Sequence, residues 1–235
     1  AYKPNQIILV NNGSTDNSEQ LARKCLDGCR DIDILFLNES RPGKIFALES
    51  GLRAVTHPFV ALSDADTFYP PSYLQKCSHL FLRRNNTVSA VMALDEPSDP
   101  IRIGSRLRRS YFLLLSKLFP KHNYAGGYGQ AFRMSDLEKA GGFSEKLWPH
   151  VLMDHEIMCR LYQFGHSIYH VNHWCTPSSR RSDRTRVRWT LFERLLYQLM
   201  PHRFHRWFFH NFLNQRFSRR GLNHIKLREK PWNQN

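Results

Sequence analysis

Apolar and polar positions change period repeatedly over the first hundred residues. Gln6 to Val10 (QIILV) is a short continuous apolar run ending in Asn11-Asn12-Gly13-Ser14, the composition of a tight turn. Ser18 to Cys29 then sets Leu21, Cys25 and Cys29 on one helical face, with Ser18 at the N-cap position. Ile32 to Leu37 predicts a second strand, Gly43 to Val55 a helix presenting Ile45, Leu48 and Leu52, and Phe59 to Ser63 a third strand. Ser72 to Leu82 predicts a helix and Val88 to Leu94 a fourth strand. This alternation predicts an α/β fold with a mostly parallel sheet and helices on both faces. A parallel strand as apolar as Gln6 to Val10 needs partners on both edges, yet it stands next to Ala1. The expectation is a chain cropped by one strand and helix, with an aggregation-prone edge.

The third apolar run closes on Asp64-Ala65-Asp66. In extended backbone, residues i and i+2 point to one side about 6–7 Å apart, so one cation or one hydroxylated ligand can meet both carboxylates. Ligands of open α/β sheets bind beyond the carboxyl ends of strands, and hard divalent ions take oxygen donors. The plain alternative is a solvated turn.

Composition adds bounds. At 235 residues and 41% hydrophobic, the chain can bury a core as one domain with an appendage. Its five cysteines are scattered, without a C-x-x-C pair, which argues against a disulfide framework or a zinc site and for a reducing cytosol. No run of 18 apolar residues or signal peptide is present. The formal charge of +14 is unevenly placed. Residues 1–100 carry 10 Lys+Arg against 12 Asp+Glu, and residues 101–235 carry 24 against 8, net +16. Such a half implies a polyanionic neighbour, either nucleic acid or an anionic membrane.

After residue 150, Ile157, Met158, Leu161 and Tyr162 have helical period, preceded by Asp154 and closed by Gly165, so Asp154 reads first as a helix N-cap. Arg180, Arg181, Arg184, Arg186 and Arg188 crowd ahead of Trp189. Trp189 to Leu199 and His202 to Leu213 then mix Phe, Trp and Leu with Arg and His, as does Arg106 to Leu115. Basic aromatic helices suit an anionic bilayer interface, and equally they can cover the domain's own core. No helix-turn-helix, zinc-finger or aromatic RNP pattern accompanies the charge, which disfavours nucleic acid.

Six motifs occur in a telling order: Val10 to Ser18; Gly43-Lys44 with Ala47 and Gly51; Asp64-Ala65-Asp66; Ala131-Phe132-Arg133; Gly141-Gly142-Phe143; and Asp154-His155-Glu156 with Arg160. In order and spacing the chain resembles a bacterial-type family 2 glycosyltransferase of the GT-A (Rossmann-like) fold over residues 7–165. The resemblance implies a domain over 1–179 that lacks the first strand and helix, and a basic, aromatic helical extension over 180–235. It also implies an inverting, hexosyltransferase-type enzyme moving a sugar from a nucleotide-diphosphate sugar to a lipid-linked or polysaccharide acceptor. The expected place is the cytoplasmic, inner face of the cell membrane, as a peripheral protein.

The chemistry requires neutralisation of a leaving diphosphate and removal of a proton from the attacking hydroxyl. By this resemblance Asp66 holds Mg²⁺ or Mn²⁺ with Asp64, which either shares the metal or leans to the ribose. Asp154 is the general base, with N-capping as the compatible alternative. Asn11 and Lys44 face the donor or serve the turn and the first helical turn, while Arg188 and Trp189 match the end of a Q-x-x-R-W motif. Thr185 replaces its Gln, which favours non-processive transfer. Met153 stands where the family has Glu, Asn11 and Asn12 where it has aspartates, and Gly129 where it has Asn. The Gly126-Gly127-Tyr128-Gly129 turn is expected to approach donor sugar and acceptor. The alternatives are a nucleotidyltransferase of related architecture and a basic nucleic-acid-binding module.

Overall fold

A computed structural model of the chain describes residues 2–83, 87–96, 103–178 and 189–227. The predicted alternation is present: β1 (Gln6–Asn11), α1 (Ser18–Leu26), β2 (Asp33–Asn38), α2 (Lys44–Arg53), β3 (Phe59–Ala61), β4 (Thr67–Phe68), α3 (Tyr73–Leu82) and β5 (Val88–Asp95). There follow α4 (Ile103–Leu118), β6 (Gln130–Arg133), α5 (Met134–Lys139), α6 (Met153–Leu161), β7 (His166–Pro177) and α7 (Leu191–Leu199). A last helical stretch joins α8 (His205–Trp207), a π-helical turn (Phe208–Leu213) and α9 (Asn214–Arg220).

Strands β1 and β2 form a parallel pair, Gln6 opposite Asp33 and Asn11 opposite Asn38. The others form a second sheet in the order β3-β6-β5-β7-β4. The sheet is mixed: β5 and β7 run parallel, whereas β6 lies antiparallel between β3 and β5, and β4 is antiparallel to β7. This qualifies the mostly parallel expectation, because Gln130–Arg133, entered from a glycine turn after α4, runs antiparallel to both of its neighbours. Strand β5 is buried from Val88 to Leu94 because both faces are covered. Ala90 and Met92 join the cluster containing Ile157, Met158 and Phe132, while Val91 packs with Cys77 and Phe81 of α3.

Two local expectations are corrected. Helix α1 stops at Leu26 and Gly28 takes φ +90°, so Cys29 leaves the face that carries Cys25. Ser18 does not cap α1; its own N–H donates to Asp16 Oδ1 at 3.0 Å.

The aromatic segment after Trp189 divides between inside and outside. Tyr197, Phe208, Phe209, Leu213 and Phe217 belong to the same cluster as α6, so Phe208 is core and cannot enter a bilayer. Leu191, Phe192, Leu199 and Trp207 are exposed. Buried Glu193 ties α7 to α9 through Arg216 and Arg220, each at 2.7 Å. Among the described residues no helix is long and apolar enough to cross a membrane.

Candidate active site

The Asp64-Ala65-Asp66 triplet is not the extended strand end expected from its spacing. Strand β3 ends at Ala61, and a turn closes from the Thr67 N–H to the Asp64 carbonyl at 3.1 Å. The side chain of Asp64 and the backbone of Asp66 are held by different partners. Asp64 receives Lys44 Nζ at 2.7 and 2.9 Å from its two oxygens, a pair 15% and 39% exposed on its acidic and basic sides. The Asp66 carbonyl accepts the Ser178 N–H at 2.9 Å, joining the turn to the end of β7.

Lys44 is aimed by the residues before it. Asn12 reaches across from the end of β1, accepting the Gly43 N–H at 3.0 Å and donating to the carbonyls of Glu39 and Arg41. Gly43 has φ +134°, and a Cβ there would lie 2.5 Å from the His224 ring, so only glycine lets α2 begin here. Asn11 serves the turn: it accepts the Ser14 N–H at 3.0 Å and donates to Glu19 at 2.7 Å.

Tyr69 connects the acidic turn to the glycine turn. Its hydroxyl accepts the Asp64 N–H at 3.0 Å and donates to the Tyr128 carbonyl at 2.8 Å. Burial pushes this phenol up to about 12. One residue earlier, the Gly127 N–H donates to Asp154 Oδ2 at 3.0 Å. A Cβ on Gly127 would stand 3.3 Å from Asp154 Cβ, so the turn approaches the acid as closely as backbone can.

Asp154 lies inside the first turn of α6, whose N-cap is Leu152, so the N-cap reading of Asp154 is corrected. Leu152 has φ +64°, a left-handed conformation costing a non-glycine residue about 1–3 kcal/mol, typical of functional sites. Oδ1 of Asp154 accepts the His155 N–H at 3.1 Å, and its carbonyl accepts amide protons from Asn123 and Gln130. The carboxylate is thus fixed by two backbone donors and its backbone by two side chains. Glu156 faces away, held by Arg160 at 2.7 Å and His210 at 3.1 Å; burial pushes its carboxyl up, and these partners outweigh that and hold it below its usual value.

Trp189 packs its ring 5.3 Å from that of His155, the residue after Asp154. Arg188 and the other arginines of 180–188 lie outside the described residues. The structure therefore links Lys44, Asp64 and Asp154 in one network, packs Trp189 on His155 next to Asp154, and keeps Asn11 in the β1–α1 turn. Asn12, Tyr69, Gly127, Asn123 and Leu152 were not singled out as site residues by sequence. Gly127 lay in a flagged glycine run and Asn12 at a position where the family has aspartate, while Tyr69, Asn123 and Leu152 carried no distinguishing signal.

Among the described residues no group of three or more His, Cys, Asp or Glu is positioned to hold a metal. Two carboxylates in a turn fit Mg²⁺ or Mn²⁺ only as an ion completed by substrate phosphates, the usual arrangement for Mg²⁺.

Comparison with known proteins places this geometry. The mannosyltransferase PcManGT of Pyrobaculum calidifontis, solved with GDP-Man and Mn²⁺, superposes with TM-score 0.63 at 22% identity, covering 82% of this chain and 53% of that one. Residues 1–349 of Staphylococcus aureus TarS, solved with UDP-GlcNAc, superpose with TM-score 0.53 at 14% identity over 96% and 67% of the two chains. These likenesses establish a GT-A fold. The poly-β-1,6-N-acetyl-D-glucosamine synthase of Staphylococcus aureus is 36% identical over 66 residues, which are 28% of this chain and 16% of the synthase. This chain thus spans about half of the mannosyltransferase and matches a small part of the synthase. The model of glycosyl transferase family 2 matches residues 1–141, from the strand before Asn11 through the acidic turn to the glycine turn, and the chain belongs to that family.

Proposed function

We propose that this chain transfers a sugar, with inversion, from a nucleotide-diphosphate sugar to a hydroxyl of a lipid-linked or polysaccharide acceptor, one residue per encounter. The observation that carries the reading is the continuous chain of contacts from Asn12 through Gly43-Lys44, Asp64, Tyr69 and the Gly127-Tyr128 turn to Asp154. It joins a cation suited to phosphate, the Asp64 carboxylate of the acidic turn and the orientated carboxylate of Asp154, parts that glycosyl transfer needs. The GDP-Man and UDP-GlcNAc held by its structural neighbours support a nucleotide-sugar donor.

Asp66, with Asp64, would hold a divalent ion that supplies charge neutralisation for the departing diphosphate. Lys44 adds a positive charge beside Asp64. Asp154 accepts the acceptor's proton, its carboxylate orientated by Gly127 and His155. Trp189 supports His155, and Arg188 would approach the diphosphate with a guanidinium fork. The reaction takes place at an anionic membrane surface on the cytoplasmic side, a reading supported by the basic second half and its exposed apolar side chains.

Calorimetric titration with UDP- and GDP-sugars in Mn²⁺ or Mg²⁺, paired with a transfer assay, tests the reading. Asp66→Ala should abolish metal-dependent donor binding. Asp154→Asn should bind donor normally and transfer about 10²–10⁴-fold more slowly. Wild-type turnover in Asp154→Asn would remove that residue from the mechanism.

A further inference from the structure

Two helices turn apolar stripes outward. Among the described side chains of α4, Leu107, Tyr111, Leu114 and Leu118 recur at helical spacing and are each more than half exposed. On α7, Leu191, Phe192 and Leu199 are likewise more than half exposed, with Leu195 47% exposed between them, opposite buried Glu193 and Tyr197.

The C-terminal ends of these helices meet at a cavity of about 270 Å³ lined in part by Lys121, Cys159, Tyr162, His202, Arg203 and Arg206. Lys121 follows α4 by three residues and His202 follows α7 by three. Ring contacts hold the two connections together: Phe119 lies 5.5 Å from His122, which lies 4.6 Å from His205.

Among the described residues no carboxylate lines this cavity. Lys121 spends one donor on the Tyr162 carbonyl at 3.0 Å, and an ammonium has three. Arg203 stacks on Phe204, whose ring is 45% exposed. The His202 imidazole is held below its usual value by burial and by the adjacent Lys121 and Arg203 charges, an independent sign of positive potential. The volume lies just under the roughly 300–1,000 Å³ of drug-sized ligand pockets but admits a phosphate group.

We propose that this cavity seats the phosphate of an anionic phospholipid while the stripes of α4 and α7 enter the leaflet around it. The assignment rests on the membrane-surface part of the proposed function and gives it a binding site. Three alternatives fit the cavity and its stripes less well. A free phosphate has no use for flanking aliphatic stripes. Nucleic acid would meet leucines where it needs cations. A second copy joined across a two-fold axis through this cavity would set its cations against their own images.

Co-sedimentation of the 235-residue chain with phosphatidylglycerol/phosphatidylcholine vesicles and with pure phosphatidylcholine tests the proposal. Wild type should prefer the anionic vesicles. Arg203→Gln with Arg206→Gln should cut that binding about 30-fold, from two basic contacts, without lowering the melting temperature. Leu114→Ser with Leu195→Ser and Leu199→Ser should instead remove the fraction that survives 0.5 M salt. Undiminished binding by the arginine variant would overturn the cavity assignment and leave the membrane reading standing. No vesicle binding by wild type would overturn both. Dimers dissolved by the leucine variant, or duplex RNA bound in place of vesicles, would name a different occupant.

Discussion

Replacing Glu193 tests whether the helices after residue 189 are part of the catalytic core. The Glu193 carboxylate is fully buried and accepts three hydrogen bonds: Arg216 Nε and Arg220 Nη2 at 2.7 Å, and the Thr190 N–H at 2.8 Å. Its own N–H donates to Thr190 Oγ1 at 3.2 Å, completing a capping box on α7. Breaking a buried pair costs about 3–5 kcal/mol because the abandoned charge stays buried. Here Arg216 and Arg220 are 42% and 32% exposed and can turn to water, so Glu193→Ala should cost about 3 kcal/mol, the lower end. For a chain of this size that is about 6–12 °C in melting temperature. Burial pushes the Glu193 carboxyl up, but Arg216, Thr190 and Arg220 outweigh it and hold it below its ordinary value of 4.5. A depressed carboxyl contributes stability that is present above its ordinary value and is lost as pH falls through the folded one. Urea denaturation of both proteins should therefore show the full gap at pH 7 and a shrinking gap below about pH 4.5. A difference under 1 kcal/mol at pH 7, or one indifferent to acid, would show that this ion pair does not hold α7 in place.

Tyr69→Phe should leave the Asp64 N–H and the Tyr128 carbonyl without their shared partner, costing about 1–3 kcal/mol by denaturation, and should weaken metal-dependent donor binding in calorimetry. Unchanged donor affinity would show that the acidic and glycine turns are not coupled. His173 is buried with neither ring nitrogen hydrogen-bonded, and burial, then Lys76 and His170, bring it down to about 4 from 6.5. The unfolded chain then takes up a proton that the fold refuses, so stability should fall from about pH 6.5 to pH 4. His173→Phe, which keeps the ring against Tyr73, should flatten that fall and leave stability at pH 7 equal or higher; an unchanged slope would refute the assignment.

Elements with a clean period were legible in the sequence: every strand and helix expected before residue 95 is present, with ends moved by a few residues. Strand β6 was missed because four residues after a glycine run carry no period long enough to read. The acidic turn was misjudged in geometry because the apolar run stops being a strand two residues before Ser63. Lys44 and Asp64 were named, but their pairing depends on Asn12 spanning 31 residues to Gly43, a contact with no local signature. Sequence alone left the C-terminal aromatics undivided between membrane and core, because the π-helical turn shifts the helical register, putting both Phe208 and Phe209 inside while Trp207 stays half exposed.

Net charge was the coarsest guide, because basic residues of the second half have opposite fates. Arg160 is spent on Glu156, and Arg216 and Arg220 on Glu193, neutralised within the fold. Lys121, Arg203 and Arg206 instead gather at a cavity without a carboxylate among the described residues, so the field that matters is local. Helix α6 connects that cavity to the chemistry. Asp154 occupies its first turn and the Tyr162 carbonyl, capped by Lys121, ends it, an arrangement of charge that the helix dipole favours at both ends. Eight residues of helix separate them by about 12 Å. If the proposed headgroup site and the proposed base role of Asp154 both hold, a phosphate seated at Lys121 would place Asp154 one short, rigid helix away from the leaflet in which a lipid-linked acceptor would sit.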